Sequence, residues 1–248
     1  MDNVYIYEVF IHFKFMLNVG LYIFLKGRKE GVGEDLKQLS ALDRPKQAVQ
    51  PKELNVEDIT SDSQYEDVMF QGGVVSGEIL KHVYFSRVHF KNVTFEAVVF
   101  EQLELVDCVF DGCNISNTEM IDAIIHRTAF NDAKLVGTNF SGSTFVGVSL
   151  TGCLADYSAF NDANLKRVLI QETSLIAAEM MNVIWDKWTL TSCRLDGLQL
   201  FHTPLKGLDV HTCQFEAIAF TPELVKGFVI DSMQAVALVE QLGIKIKE

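Results

Sequence analysis

The stretch FNDAKLVGTNFSGSTFVGVSL, residues 130–150, has an apolar residue at every fifth position. Helices repeat their side-chain directions every 3.6 residues and strands every two, so neither regular structure explains a period of five. The same phase extends from Tyr65 to Ile230, where all 34 positions spaced by five are apolar. Only 48% of the whole chain is apolar, so the register is a property of the fold rather than of composition.

A second inward position lies two residues before each of these five-residue centres. It holds mostly small or apolar side chains, for example Val83, Cys113 and Ala123. A spacing of two keeps both side chains on one side of an extended segment, and the remaining residues must include a corner. The frequent Gly, Asn, Asp and Ser beside the centres allow such a corner. Because the corner recurs, the chain is predicted to wind into a solenoid whose axis is filled by the centres.

The segments FNDAKL, FNDANL, LVGTNF and FSGSTF resemble the A(D/N)LXX motif of the pentapeptide repeat proteins. The resemblance covers residues 65–230 and implies an all-β solenoid, a right-handed quadrilateral β-helix with four repeats in each coil. The 34 repeats then make 8.5 coils. At about 4.8 Å per coil, we expect a rod about 40 Å long.

The chain divides into three predicted parts. Residues 1–60 form an N-terminal extension, residues 61–230 the β-helix, and residues 231–248 a C-terminal capping and dimerisation helix with a tail. Within the extension, residues 34–42 are predicted as a short helix, and a polar linker follows over residues 43–64.

At the C-terminus, the sequence DSMQAVALVEQL predicts the short helix. Asp231 or Ser232 can cap its N-terminus, and Gly243 can end it.

The extension begins with a strongly apolar run over residues 4–25. Its length would allow a membrane-spanning helix. However, Glu8, His12 and Lys14 lie inside it, and a charge near the bilayer centre costs several kcal/mol. We therefore expect a locally packed segment, or an upstream extension of the reading frame with the true start at Met16 or later, rather than a membrane span.

The charged residues are distributed unevenly over the four predicted faces of the rod. With four repeats per coil, residues 20 apart stack on one face. The face centred on Leu80, Phe100, Met120 and every twentieth residue after them, here called the acidic face, carries seven acids and one base, Lys81. The next face, centred on Phe85 and Leu105 and called the basic face, carries six acids and seven bases. We expect the acidic face to be a docking surface for a partner through Glu101, Glu119, Asp122, Asp162 and Glu179.

Little in the sequence predicts catalysis. Cys113, Cys153, Cys193 and Cys213 all fall at inward positions of one face, and Cys108 at that of the neighbouring face, so they are predicted to be buried as small hydrophobes. Five cysteines without a CxxC pair are typical of a reducing compartment, and we expect a cytoplasmic protein.

The histidines and tryptophans also have positions that are explained by the fold without a catalytic or binding function. The histidines take outward positions, and Trp185 and Trp188 are expected in a filled core without a pocket. No catalytic residue, metal site or cofactor is predicted. With a net charge of −12, the surface is expected to repel nucleic acid and anionic membrane.

The C-terminal block, LVKGFVIDSMQAVALVEQLGI, resembles the end of the quinolone-resistance pentapeptide proteins, the Qnr and MfpA-like group. The resemblance implies that this tail joins two rods end to end, which makes Met233, Val236, Ala237, Leu238, Leu242 and Ile244 the expected dimer interface. It further implies DNA mimicry, in which the acidic rod occupies the DNA site of gyrase or topoisomerase IV and protects the enzyme from quinolones or peptide toxins.

Two departures from that group bear on this expectation. The register is free of the loops that interrupt the coils of Gram-negative Qnr proteins, so the chain resembles the loop-free members, and residues 1–60 have no counterpart. The alternative is a structural scaffold or adaptor without a topoisomerase function, either with or without a membrane tether through residues 4–25.

Overall fold

The computed structural model describes residues 44–241 and 244–245. They form a parallel β-solenoid of about 8 turns with a single short C-terminal helix, as the repeat register predicts. Strands pair with the segment 20 residues later, for example Phe110 with Phe130 and Phe145 with Leu165. One coil therefore contains 20 residues, or four repeats, and the predicted fold class is confirmed.

Most strands are three residues long because each repeat provides one short extended segment before the next corner. Along the basic face run β2 (Gln64–Glu66), β6 (Tyr84–Ser86), β10 (Glu104–Val106), β12 (Ile124–His126) and β14 (Thr144–Val146). Along the third face, centred on Phe70 and Phe90, run β1 (Lys52–Leu54), β3 (Val68–Gln71), β7 (His89–Lys91), β11 (Val109–Asp111), β13 (Ala129–Asn131) and β15 (Ser149–Thr151). The longer β16 (Asn164–Gln171) and β17 (Ile184–Thr191) continue from the basic face into the third face.

The other two faces have fewer regular strands. The fourth face, centred on Val75 and Phe95, holds β4 (Val74–Ser76) and β8 (Thr94–Glu96), and the acidic face holds β5 (Ile79–Lys81), β9 (Val99–Glu101), β18 (Leu198–Leu200) and β19 (Ile218–Phe220). Between these strands, single parallel bridges continue the ladders, for example from Glu119 to Asn139. The stacking of coils is thus maintained where the segments are too short to count as strands.

Corners form where the residue two positions after a centre adopts a left-handed backbone. Asp122 has φ 55°, Asp162 φ 59° and Gly142 φ +71°. Glycine takes this conformation without strain, and Asp and Asn tolerate it better than other side chains. The turns therefore favour Gly, Asp and Asn beside the centres, although other side chains, such as Ala97 and Tyr157, adopt the same conformation at equivalent corners.

The core is a stack of side chains along the axis, in which all but four of the 34 centres are buried. Its most regular part is the phenylalanine ladder on the third face, formed by Phe70, Phe90, Phe110 and Phe130. Successive rings stack nearly parallel, with centroids 5.3, 4.5 and 4.8 Å apart. The strand spacing of about 4.8 Å matches ring stacking, so the backbone period and the aromatic contacts support each other.

Three of the partly buried centres lie near the ends of the rod, and the fourth is Trp185. Trp188 occupies the next inward position, where the neighbouring coils have Val168 and Leu208, and it is buried. Trp185 packs against the core edge-on to Trp188, with ring centroids 6.1 Å apart, but it is only partly buried and its indole N–H is donated to the Pro204 carbonyl at 2.7 Å. Both tryptophans therefore contribute to the core as expected, but Trp185 also lines a surface cleft that the register did not predict.

The expected polar linker over residues 43–64 is partly incorporated into the solenoid. β1 pairs in parallel with β3, and the 3₁₀ turn Val56–Asp58 buries the Val56 side chain in the core. The reason lies at Gly73, an inward position without a side chain, where an added Cβ would lie 2.7 Å from Val56 Cγ1. Val56 thus fills the space that Gly73 leaves. The boundary at residue 60 remains a prediction, and the predicted helix over residues 34–42 lies outside the described residues.

Helix α1 (Ser232–Gln241) follows the last coil, after the 3₁₀ turn Pro222–Leu224. Asp231 caps it: its carboxylate accepts the Gln234 N–H at 2.8 Å, while the Gln234 side-chain oxygen accepts the Asp231 N–H at 2.9 Å. This reciprocal pair is a capping box. The Gln234 side-chain amide also donates to the carbonyls of Val210 and Cys213, at 2.8 and 2.7 Å. One buried glutamine therefore begins the helix and fastens it to the end of the solenoid.

Candidate functional site

The acidic face presents carboxylates along one side of the rod, at the positions expected from the register. Glu119, Asp122 and Asp162 are exposed, and Glu179 is half-buried. Glu119 and Glu179 belong to one column of bridged residues, three coils apart, which corresponds to about 14 Å. In the described part of the chain, none of these four carboxylates forms an ion pair.

Glu101, the fifth expected site residue, has a different environment. Its carboxylate forms an ion pair with the Lys81 ammonium group at 2.9 Å, and both side chains are about half exposed. One coil earlier, Asp62 contacts His82 at 2.9 Å. In the first coils of the acidic face, Lys81 and His82 therefore contact two of the carboxylates, and most of the acids of this face without such a partner lie between residues 119 and 179.

Backbone geometry orients two of the free carboxylates. Asp122 and Asp162 occupy left-handed corner positions two coils apart, with Gly142 at the corner between them. The Asp122 carboxylate lies over Gly142, and a Cβ on that glycine would collide with it. The corner thus points the Asp122 carboxylate along the rod axis. The turn alone would explain an aspartate here, so its charge must be tested separately from its backbone preference.

Sequence reasoning missed two apolar side chains beside these carboxylates. Ile121 is 39% exposed and Ile124 is 49% exposed, on either side of the Asp122 corner. Both residues lie at outward positions, and the residue types at those positions were available in the sequence. An apolar pair within a negative surface is typical of a protein-binding surface, because it supplies area that is favourably removed from water.

The basic face begins with a ladder of alternating charges. Arg87 donates two hydrogen bonds to Asp67, and two coils further on Arg127 donates to both oxygens of Asp107 at 2.7 and 2.6 Å. Asp107 is only 4% exposed and also accepts the Lys46 N–H at 3.0 Å. The N-terminal segment therefore lies against this face, and the arginines of the ladder are used internally.

Asp107 should make the stability of the solenoid depend on pH. Its burial by itself raises its pKa, but the hydrogen bonds from Arg127 and the Lys46 N–H outweigh this effect and hold the pKa below the usual value of 3.8. A lowered folded-state pKa contributes stability that is present above the unfolded pKa and is lost as the pH falls through the folded pKa.

We expect Asp107→Asn to destabilise the protein by about 2–3 kcal/mol at pH 7, since a charged hydrogen-bonded pair is lost, and to destabilise it progressively less as the pH falls below 3.8. Urea unfolding of both proteins between pH 7 and pH 2 tests this. A difference that is independent of pH would contradict the assignment.

Helix α1 separates the expected dimer residues into two groups. Leu238 is buried against the molecule's own solenoid, whereas Met233 is 77% exposed, Val236 40% and Ile244 36%. Ala237 is half-buried, and Leu242 lies outside the described residues. The surface available to a partner is therefore the outer side of the helix, beginning at Met233.

The cysteines take the inward positions that the register assigns to them. All five are buried and reduced, and burial raises the pKa of the Cys108 thiol to about 12 and that of Cys113 and Cys153 to about 11. In the described part of the chain, His, Cys, Asp and Glu side chains do not converge in groups of three or more. Across the same residues, no helix is long and apolar enough to span a membrane; the apolar run over residues 4–25 lies outside them.

Comparisons with known proteins agree with this architecture. Residues 123–200 match the family model described as pentapeptide repeat region. The same five-residue register and 20-residue pairing continue on both sides of the matched region. Over residues 123–200 the chain is thus similar to the pentapeptide repeat proteins. No curated protein matches its sequence.

Solved structures with a similar fold include three pentapeptide-type solenoids. QnrB1, a plasmid-mediated fluoroquinolone resistance protein, is 19% identical over 72% of this chain and 100% of its own, with a TM-score of 0.42. Rfr23 from the cyanobacterium Cyanothece 51142 is 13% identical over 63% and 100%, with a TM-score of 0.32. HetL from Nostoc sp. strain PCC 7120, involved in heterocyst differentiation regulation, is 16% identical over 80% and 94%, with a TM-score of 0.30. At these identities the likeness concerns the fold alone.

Proposed function

We propose that this protein is a DNA mimic that engages a type II topoisomerase, DNA gyrase or topoisomerase IV, and protects it from quinolones or peptide toxins. The observation that supports this proposal is a row of four carboxylates, Glu119, Asp122, Asp162 and Glu179, on one side of the rod, none of which forms an ion pair with another described residue. The resemblance of the C-terminal block to the Qnr group points to the same class of partner.

Electrostatics supplies the physical reason for such binding. A DNA-binding saddle is lined with lysines and arginines that meet phosphates, and carboxylates at the surface of a rod can replace those phosphates. The rod has a lower charge density than DNA. Residues 61–230 contain 21 acidic and 11 basic residues, a net charge of −10, so the two rods of a dimer would carry −20 over roughly 80 Å. The roughly 24 base pairs that span this length carry about −48. Apolar contacts at Ile121 and Ile124, both exposed beside Asp122, would compensate for part of this difference.

We infer that the functional unit is a homodimer joined through the outer side of helix α1. Met233 and Val236 are exposed one helical turn apart, and Ile244 provides a third apolar side chain near them in sequence. Two rods of about 40 Å joined end to end would form a continuous mimic of about 80 Å.

Sedimentation equilibrium tests the dimer. We expect the native chain, of 27.9 kDa, to sediment at twice its mass, and Met233→Glu/Val236→Glu at the monomer mass. Val74→Glu/Ile79→Glu, which changes two comparably exposed apolar residues at the other end of the rod, is the matched control and should remain dimeric. A monomeric native chain at tens of micromolar would exclude the dimer.

Supercoiling by purified gyrase and decatenation by topoisomerase IV test the proposed function, with this protein titrated into each reaction with and without ciprofloxacin. Restored activity in the presence of the drug, or inhibition in its absence, is the expected result. No effect on either enzyme at tens of micromolar would reject the topoisomerase proposal.

A structural scaffold or adaptor is the alternative function, and the apolar sequence of residues 4–25 favours it. In that case residues 1–30 should direct the protein to the membrane fraction of cells. Recovery of the protein in the soluble fraction, together with protection of a topoisomerase, would support the DNA-mimic proposal over the scaffold.

A further inference from the structure

The half of the basic face after residue 160 has a different charge arrangement from the half before it. Arg87 and Arg127 are both engaged by aspartates one coil away. Beyond residue 160, the lysines of this face have no ion pair in the part of the chain that the structure describes; they are Lys166, Lys187, Lys206 and Lys226. The register places two acids on this half of the face, Asp186 and Glu223. The result is a patch of free cations on an otherwise acidic rod.

A surface cleft opens in the middle of this patch, where the partly buried Trp185 lies beside the buried Trp188. The cleft has a volume of about 460 Å³, and its apolar part is formed by Trp185 and Ile184, whose side chain is 70% exposed. Lys187, Lys206 and His202 line its rim, and Asp186 is the acidic residue among the lining side chains. Exposing isoleucine and tryptophan side chains to water is unfavourable unless a partner covers them.

The geometry restricts what a ligand of this cleft must offer. The Trp185 indole N–H is already donated to Pro204, so the aromatic ring presents an apolar surface and no free donor. Lys166 and Lys226 are three coils apart, about 14 Å, which four or five residues of an extended peptide would span. A long polyanion such as nucleic acid would extend beyond the patch and meet the acidic and third faces, whose charges repel it.

We propose that this patch, Trp185 and Ile184 surrounded by Lys166, Lys187, Lys206 and Lys226, is a docking site for an acidic peptide segment of a partner protein. One apolar side chain of the segment occupies the cleft, and flanking carboxylates contact the lysines. Charge complementarity argues for this occupant, because the site is positive and short whereas the rest of the rod is negative. The site is independent of the proposed topoisomerase function, which uses the acidic face.

The test uses the full chain and the acetylated peptide EEELEEE, with binding measured by calorimetry and by tryptophan fluorescence at low and physiological salt. We expect saturable one-to-one binding that weakens with salt. Lys187→Glu/Lys206→Glu should weaken it at least tenfold. Lys134→Glu/Arg194→Glu, an equal charge change at exposed positions of the fourth face, should remain within twofold of the native affinity. The peptide EEESEEE, without the apolar anchor, should bind at least fivefold more weakly.

Several results would overturn the proposal. Absence of EEELEEE binding or equal binding of KKKLKKK would do so, as would an equal loss in the two charge-reversal variants. Binding to vesicles containing phosphatidylserine without binding to the peptide would identify a membrane surface instead. Circular dichroism of each variant verifies that the solenoid is folded, so a loss of binding can be assigned to the cleft.

Discussion

Replacing Phe110 by alanine should lower the free energy of unfolding by about 3–5 kcal/mol, the usual cost of removing a buried aromatic side chain. Phe110 is 2% exposed and stacks between Phe90 and Phe130, at centroid distances of 4.5 and 4.8 Å. The substitution therefore removes two aromatic contacts and leaves a cavity in the middle of a one-dimensional stack. In a solenoid each coil is stabilised only by its neighbours, so a weak coil also uncouples the coils on its two sides.

The two tryptophans provide a local readout of this uncoupling. Trp185 and Trp188 lie nearly four coils after Phe110, so their fluorescence reports the C-terminal half while circular dichroism reports the whole rod. We expect the two urea transitions to coincide in the native protein and to separate in Phe110→Ala. Tyr157→Ala, which removes a ring that is 67% exposed, is the control and should change stability by less than about 0.5 kcal/mol. A loss below 1 kcal/mol in Phe110→Ala would show that the ladder contributes little.

Neutralising the free carboxylates should abolish the proposed topoisomerase interaction without disturbing the fold. The variant is Glu119→Gln/Asp122→Asn/Asp162→Asn/Glu179→Gln. Asparagine tolerates the left-handed backbone that the corners at residues 122 and 162 require, so the change removes charge and preserves the turn. We expect the concentration needed to protect gyrase supercoiling to rise at least a hundredfold, since four charge contacts of about 0.7 kcal/mol each would produce this change.

The matched control neutralises four acids elsewhere on the rod: Glu96→Gln/Asp132→Asn/Glu172→Gln/Glu216→Gln. Asp132 lies over Gly152 just as Asp122 lies over Gly142, so the control includes the same kind of corner. Because the two variants have the same net charge, a difference in protection between them reports the arrangement of the carboxylates and not the total charge. Retained protection by the first variant, or an equal loss in both, would show that the acidic face is not the binding surface.

Much of the fold was predictable because one physical requirement recurs in every repeat. An inward position must be apolar, so 34 repetitions reveal both the period and the phase, and the corner residues follow from the conformations that Gly, Asp and Asn tolerate. The placement of the charges on faces followed from the same register. The strand at residues 52–54 was harder to predict from the sequence, because it contains no repeat motif and pairs with the solenoid through its backbone.

The candidate sites were only partly predictable. The columns of acidic residues follow from counting by 20, but their pairing depends on side-chain directions: Lys81 forms an ion pair with Glu101, whereas Glu119 has no ion pair among the described residues. The partial exposure of Trp185 beside the buried Trp188 likewise depends on packing between coils, which the register does not reveal.

The sequence by itself determined the coil, its period and the face on which each residue lies, since these depend on local backbone geometry repeated along the chain. The tertiary structure alone decided which charges are free, which aromatic ring is only partly buried and which side of helix α1 is exposed. Those properties depend on contacts between residues of different coils, where packing volume and ion pairing select among positions that the repeat pattern treats as equivalent.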